Sequence, residues 1–139
     1  MGKIAQILGV LWQLPQFALG WLVEWYYRIG ADYIVGEYNG VRVVYSMKME
    51  KGVSFGRVII LPYKYRRLYS LNAYARVMHA HEYGHCVQSR KYGWLYLFVI
   101  GIPSAMWNWA HENIDKYEEA DYYSFWTEKN ANELGGAEV

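Results

Sequence analysis

The sequence predicts an α+β fold in which an N-terminal helical segment precedes a small three-stranded antiparallel or mixed sheet and several further helices. Three features support this order: an uncharged apolar run at the N-terminus, strand-like runs flanking Asn39-Gly40, and a long helical pattern that ends at Gly93. Strands followed by helices are typical of α+β proteins. Because the 139 residues contain no repeat and no Gly/Ser-rich linker, we expect one domain over residues 1–139.

The N-terminal segment, residues 1–30, is apolar and aromatic. The 20 residues Ile4–Val23 carry no formal charge, which is the length of a bilayer span. Polar residues and a proline interrupt this run (Gln6, Gln13, Pro15 and Gln16). We therefore expect one helix, or two broken at Pro15, that caps the protein core. A peripheral membrane helix through residues 4–28 and a true span are the alternatives.

Signals for a cellular compartment are weak. Lys3, the apolar run and the small residues Ala18 and Gly20 are compatible with a signal peptide, but no clear cleavage pattern follows. A cytoplasmic or membrane-associated location is favoured.

The strand region begins after the N-terminal segment. Tyr33–Tyr38 and Val41–Met49 are rich in β-branched and aromatic residues and flank Asn39-Gly40, which suits a type I′ turn. They predict a β-hairpin. Val53–Leu61 predicts a third strand with a bulge at Gly56, and residues 62–71 predict a loop.

The second half of the chain predicts helices. Ser70 is a candidate N-cap for a helix over Leu71–Lys91 that ends at Gly93. Residues 94–110 predict two short helices separated near 101–103. A last helix is expected from about Asp115 or Ser124 to Leu134.

Composition excludes several classes of protein. The net charge of +1 removes the electrostatic case for a nucleic-acid binder. A single cysteine excludes an intramolecular disulfide framework and a Cys-rich zinc finger. The charge is uneven, because residues 1–110 carry 12 basic and five acidic side chains, a balance of +7, whereas the remainder is acidic.

A metal-binding motif lies inside the predicted long helix. Residues 81–85 read His-Glu-Tyr-Gly-His, the HExxH pattern. Residues four apart share a helical face, so the imidazoles of His81 and His85 can reach one Zn²⁺ ion. Glu82 then lies beside the metal, where its carboxylate can take a proton from metal-bound water and pass it to a leaving amine. The metzincin extension is excluded because Gln88 and Lys91 stand where that class has Gly and His.

A catalytic zinc needs a third protein ligand and an open position. The chain offers many carboxylates and one histidine downstream of the motif: His111, Glu112, Asp115, Glu118, Glu119, Asp121 and Glu128. The motif and this acidic region together resemble the gluzincin metallopeptidases, in which a Glu on a later helix, within an ExxA[D/N]-like stretch, is the third ligand. The resemblance covers roughly residues 53–134, and the chain is of minigluzincin-like size.

The resemblance implies Glu128 as the third ligand, because residues 128–132 (Glu-Lys-Asn-Ala-Asn) match that stretch. Asn132 would then orient a zinc-bound imidazole through its other nitrogen. Glu118 and Glu119 are the first alternatives to Glu128 as third ligand, and His111, Asp115 and Asp121 are further alternatives. The resemblance also implies that Val53–Leu61 is an edge strand able to pair with extended substrate.

The expected function is therefore zinc-dependent hydrolysis of a peptide or protein substrate in a minimal zincin-like domain. Two alternatives stay open: an inactive or autoinhibited zinc-binding scaffold, and a membrane-associated domain without enzymatic activity. The oligomeric state is not predicted. Three further residues have structural interpretations: His79 as a core or surface histidine, Cys86 as a buried thiol and His111 as a surface residue.

Overall fold

The computed structural model describes residues 2–137, so residue 1 and residues 138–139 of the expected domain lie outside the described range. The fold is α+β, with seven α-helices and one four-stranded mixed sheet among the described residues. The helices are α1 (Lys3–Trp12), α2 (Leu14–Arg28), α3 (Lys64–Leu68), α4 (Ala73–Tyr92), α5 (Ile102–Asn113), α6 (Asp115–Glu118) and α7 (Trp126–Gly135). The strands are β1 (Tyr33–Tyr38), β2 (Val41–Ser46), β3 (Val53–Ser54) and β4 (Val58–Pro62).

The predicted hairpin is confirmed. β1 and β2 pair antiparallel around the two-residue turn, with Tyr38 opposite Val41. Asn39 and Gly40 have φ angles of +49° and +79°, as a type I′ turn requires.

The third strand differs from its prediction. The chain turns at Gly56, whose φ is +82°, and splits Val53–Leu61 into β3 and β4. β4 then inserts beside β2, so that the sheet order is β1-β2-β4-β3. β4 pairs parallel with β2 and antiparallel with β3. The expected edge strand is thus an edge only over β3, and the sheet has four strands rather than three.

Two apolar layers enclose the sheet. Val43 and Tyr45 of β2 join a cluster with Ala75 and Met78 of α4, whereas Val44 points to the opposite face, where Val23 of α2 packs. This alternation follows from the two-residue period of a strand. β4 is buried at all five positions because its two faces lie between helices and both its edges are paired.

Helix α4 forms near its predicted position with a different cap. Asn72, not Ser70, caps the helix, because the Asn72 Oδ1 atom accepts a hydrogen bond from the Tyr74 backbone N–H at 2.7 Å. Gly93 ends the helix as predicted, with a φ of +54°. The region predicted as a loop over residues 62–71 instead contains the short helix α3, whose basic side chains are exposed.

The region after α4 is helical. One 3₁₀ turn (Gly93–Leu95) and one π-helical turn (Leu97–Gly101) precede α5. The predicted separation near residues 101–103 is absent, because the π-helical turn continues directly into α5 and only the helix type changes there. The last helix, α7, begins close to the later of the two predicted starts. It ends at Gly135 and is capped by Gly136, which adopts a left-handed conformation.

The N-terminal segment forms two helices bent by 79°. Only α2 meets the expectation of a core-capping helix, because α2 packs on the sheet and buries Gln16 and Gly20, whereas α1 buries no side chain. Within residues 2–137 no single helix is long and apolar enough to cross a membrane, although α1 and α2 together have the required length and composition.

Candidate metal centre

Helix α4 carries the HExxH motif in its middle. His81 and His85 lie one turn apart on the same face, and their ring centroids are 4.8 Å from each other. Both imidazoles are buried, as is the carboxylate of Glu82. The regular helical geometry between residues 81 and 85 is what brings the two rings together.

Helix α7 packs along α4 and brings a carboxylate to the two imidazoles. The Glu128 Oε2 atom lies 2.9 Å from His85 Nε2 and 3.2 Å from His81 Nε2. Potential ligand atoms of the three side chains all lie within 4.8 Å of one another. Such a group of two imidazole nitrogens and one carboxylate oxygen can hold a divalent metal ion.

The competing ligands lie elsewhere. Glu118 and Glu119 are exposed at the end of α6, as are Asp115 and Asp121 nearby. In the described part of the chain, none of them joins His81 and His85 in a group of three possible ligands. His111 is partly buried rather than fully on the surface, and its ring N–H donates a hydrogen bond to the Ala120 carbonyl at 2.9 Å.

Each motif imidazole is oriented through its second nitrogen. His81 Nδ1 donates to the Asn132 Oδ1 atom at 2.6 Å, so the structure places Asn132 beside the imidazole of His81. His85 Nδ1 donates to Gln88 Oε1 at 2.7 Å. With both Nδ1 atoms bonded to amide oxygens, both Nε2 atoms point toward Glu128.

Gln88 also ties the two helices together. Its amide nitrogen donates to the Thr127 carbonyl at 2.9 Å and to Asn130 Oδ1 at 3.0 Å. The side chain is fully buried. One residue of α4 therefore orients His85 and at the same time holds the first turn of α7 in place.

The second carboxylate oxygen of Glu128 has its own partner. The Tyr122 hydroxyl donates to Glu128 Oε1 at 3.1 Å. Burial and the negative charge of Glu128 raise the pKa of Tyr122, so the hydroxyl keeps the proton that it donates. This bond leaves the Oε2 atom directed at the two imidazoles.

The ionisation of these side chains is coupled. Burial alone would raise the pKa of the Glu128 carboxyl, but hydrogen bonds from His81 and His85 hold it below its ordinary value. Burial alone would lower the pKa of His85, but the carboxylate of Glu128 raises it to about 9. A cation bound at this position would take the place of the proton on His85.

The carboxylate of Glu82 lies next to the backbone of Gly52 and lines the same cleft as these three side chains. A Cβ atom on Gly52 would come within 2.9 Å of Glu82 Oε1, so a side chain there would crowd the carboxylate. Burial raises the pKa of Glu82, the positive charges of His81 and His85 oppose this shift, and Glu128 adds to it. A carboxylate with a raised pKa is better able to accept a proton near neutral pH.

The four side chains open onto a cleft of about 1320 Å³. β3 and Met49 line one side of the cleft, and the helical region from Leu97 to Glu112 lines another. A metal ion held by the three ligands would therefore be accessible to a bound molecule.

His79 and Cys86, the two residues that flank the motif in sequence, lie in the core. The buried imidazole of His79 donates from Nδ1 to the Ala75 carbonyl at 2.7 Å and accepts from the Tyr45 hydroxyl at 2.8 Å. Burial lowers the pKa of His79, so the ring stays neutral. Cys86 is fully buried with Sγ 3.0 Å from Ser54 Oγ, which confirms the prediction of a buried thiol.

Sequence reasoning missed Gln88 and Tyr122. The signal for Gln88 was present, because a residue three positions after His85 lies on the same helical face. No local signal singled out Tyr122 among 15 tyrosines, because its contact with Glu128 depends on a second 3₁₀ turn, Tyr122–Ser124, which precedes α7.

Comparison with known protein families, with characterised proteins and with solved structures gives no match for this chain.

Proposed function

We propose that this protein is a zinc metallopeptidase of gluzincin type with a zincin-like arrangement of α4 and α7. The observation that carries the proposal is the convergence of His81, His85 and Glu128 at the cleft, with Glu82 beside them. His81, His85 and Glu128 would hold Zn²⁺, and Glu82 would act as general base and then as general acid.

The donor set supports zinc. Two imidazole nitrogens and one carboxylate oxygen form the ligand set of many catalytic zinc sites, which keep a further position open. The ligand group identified among the described residues has three members, which is consistent with such an open position. The amide partners Asn132 and Gln88 would orient the imidazoles for the metal.

Zinc in such a site lowers the pKa of bound water to roughly 7 and polarises a carbonyl group. The protein's own part of the reaction falls to Glu82. Its carboxylate would remove a proton from the attacking water and deliver that proton to the leaving amine of the peptide. The buried position of Glu82 and its raised pKa suit this transfer.

The cleft supports an extended peptide or protein as substrate. β3 is at the end of the sheet and lines the cleft with both its residues, Val53 and Ser54. Its second edge could pair with a substrate strand by β-augmentation. Apolar side chains on the cleft walls, among them Met49 and Leu97, favour apolar residues in the substrate.

The experiment compares zinc content and hydrolysis in the parent protein and Glu82→Gln. Elemental analysis should find zinc in both proteins, because the substitution keeps all three ligands. Hydrolysis of a quenched fluorescent peptide library should fall by about 10²- to 10⁴-fold in Glu82→Gln, because the proton acceptor is lost. Glu37→Gln, an exposed substitution on β1, is the matched control and should behave like the parent.

Equal turnover in the parent and Glu82→Gln would contradict the mechanism. Zinc retention without any hydrolysis by the parent would point instead to a zinc-binding scaffold.

A further inference from the structure

Helix α2 buries polar side chains and exposes large apolar ones. The amide of Gln16 is buried and donates to Ser89 Oγ at 2.8 Å and to the Gly93 carbonyl at 3.0 Å. Glu24, also on the inner side, pairs with Arg28 and Arg42. The large apolar side chains of α2 that are more than half exposed are Trp21, Leu22, Trp25 and Tyr26. A helix at a water-exposed surface has the opposite arrangement.

Helix α5 repeats this inversion. Ser104, Asn108 and His111, spaced four and three residues apart, line the cleft. The exposed large apolar side chains of α5 that do not line the cleft are Met106 and Trp109, three residues apart. Two helices that border one cleft thus both direct large apolar side chains away from the protein.

Helix α1 extends this apolar surface. It is exposed along its length and carries no formal charge after Lys3. Two tryptophan N–H groups attach its C-terminal end to the last turn of α4 and the residues that follow: Trp12 donates to the Arg90 carbonyl at 2.8 Å, and Trp94 donates to the Leu11 carbonyl at 2.5 Å. Because a ten-residue helix is marginal in water by itself, burial of its exposed apolar side chains against a further surface would stabilise α1.

We define the apolar face as the exposed side chains of α1, of α2, of residues 94–98 and of α5. We propose that this apolar face docks in the interfacial plane of an anionic phospholipid bilayer. Its tryptophans and tyrosines suit the boundary between lipid tails and headgroups.

The charges around the apolar face favour anionic lipid. Two basic side chains, which we call the cationic rim, lie beside its apolar and aromatic residues: Lys3 in the first turn of α1, and Lys48, whose Nζ donates to the Tyr26 carbonyl at 2.9 Å. Lys48 Nζ lies 4.5 Å from the centroid of the Tyr26 ring. Glu24, the acidic side chain of α2, is already paired with two arginines. A second copy of the chain would bring this cationic rim against itself, whereas anionic headgroups complement it.

Docking would place the mouth of the cleft at the bilayer. Leu19 and Val23 of α2 line the cleft together with Phe98 and Ile102, and Phe98 is 70% exposed. Binding of the apolar face to lipid needs no metal ion. The result of a lipid-binding experiment is therefore independent of the proposed hydrolysis.

The test is flotation of the full chain with phosphatidylcholine vesicles and with vesicles that also contain phosphatidylserine. We expect preferential binding to the anionic vesicles, a blue shift of tryptophan emission, and weaker binding at high salt. Leu22→Gln should reduce the partition coefficient by about tenfold or more, because one buried apolar side chain is lost from the lipid. Trp21→Gln is a second variant on the same surface.

Leu71→Gln is the matched control. Leu71 is 72% exposed and Leu22 is 67% exposed, but Leu71 precedes the N-terminus of α4, about 30 Å along the helix axis from Gly93. Leu71→Gln should bind vesicles like the parent, and circular dichroism should show that all variants are folded.

Three results would overturn the proposal. The first is a parent protein that stays in solution with both vesicle compositions. The second is an equal loss of binding in Leu71→Gln and Leu22→Gln. The third is a self-associated parent that Leu22→Gln converts to monomers without a change in vesicle binding, which would assign the apolar face to a second copy.

Discussion

Gly84 of α4 lies directly against the backbone carbonyl of Ala131 in α7. A Cβ atom at position 84 would collide with the Ala131 carbonyl oxygen, and one at Gly135 would collide with the Ala80 carbonyl oxygen. Both glycines therefore permit the close approach of the two helices. This approach brings Glu128 on α7 within reach of His81 and His85 on α4.

Gly84→Ala is expected to force the two helices apart. The added methyl group meets backbone rather than a flexible side chain, so we expect a loss of about 1–3 kcal/mol in the free energy of unfolding. Denaturant unfolding measures this loss, and chelator competition should show weaker zinc retention. Gly9→Ala in α1 is the control, because no atom lies within 4 Å of its added Cβ. Equal stability of the two variants would show that the helices do not depend on this contact.

Glu128→Ala tests the proposed third ligand. We expect it to weaken zinc retention during dialysis against a chelator by more than about 100-fold, because a ligand is removed rather than its support. Glu118→Ala, at an exposed position of α6, should retain zinc like the parent. The reverse ranking would assign the metal to the other carboxylate.

Gln88→Leu tests the orientation of His85. Loss of the amide leaves His85 Nδ1 and the Thr127 carbonyl without their partner, and zinc affinity should fall about 10- to 100-fold. Gln13→Leu is the control, because Gln13 is also buried and also accepts a hydrogen bond from α4, in this case from Ser89 at 2.7 Å. It should cost stability and leave zinc affinity unchanged. If both variants lose zinc equally, Gln88 acts only through general stability.

The thiol of Cys86 is expected to be unreactive in the folded protein. Burial raises its pKa to about 12, so almost no thiolate is present at pH 8, and the side chain is inaccessible to reagents. Absorbance with a disulfide reagent should show no reaction in native buffer and one thiol per chain in guanidinium. Rapid stoichiometric labelling of the native protein would contradict this burial.

Local patterns predicted the helix of the motif well, because its geometry is set within a few residues. The spacing of His81 and His85 places both rings on one face of any helix through them. The turn at Asn39-Gly40 is similarly local, since these residues accept positive φ angles at low cost. The same reasoning failed at Val53–Leu61, where a bulge was expected at Gly56 but the chain turns there and divides the run into β3 and β4.

The site itself was only partly predictable. Glu128 was favoured over Glu118 and Glu119 through a family resemblance, and the structure brings Glu128 to the two histidines. The contacts of Gln88 and Tyr122 join residues that are far apart along the chain or separated by irregular turns. Such contacts have no sequence period that would reveal them.

The sequence by itself determined the motif helix and the hairpin, because each depends on backbone preferences over a few neighbouring residues. The uncharged N-terminal run is a property of the sequence itself. Tertiary structure alone decided which carboxylate reaches His81 and His85, through the backbone contact between Gly84 and Ala131. It also decided that α2 buries Gln16 and exposes Trp21 and Trp25. Both outcomes depend on which surfaces pack together, and the packing partners lie tens of residues apart.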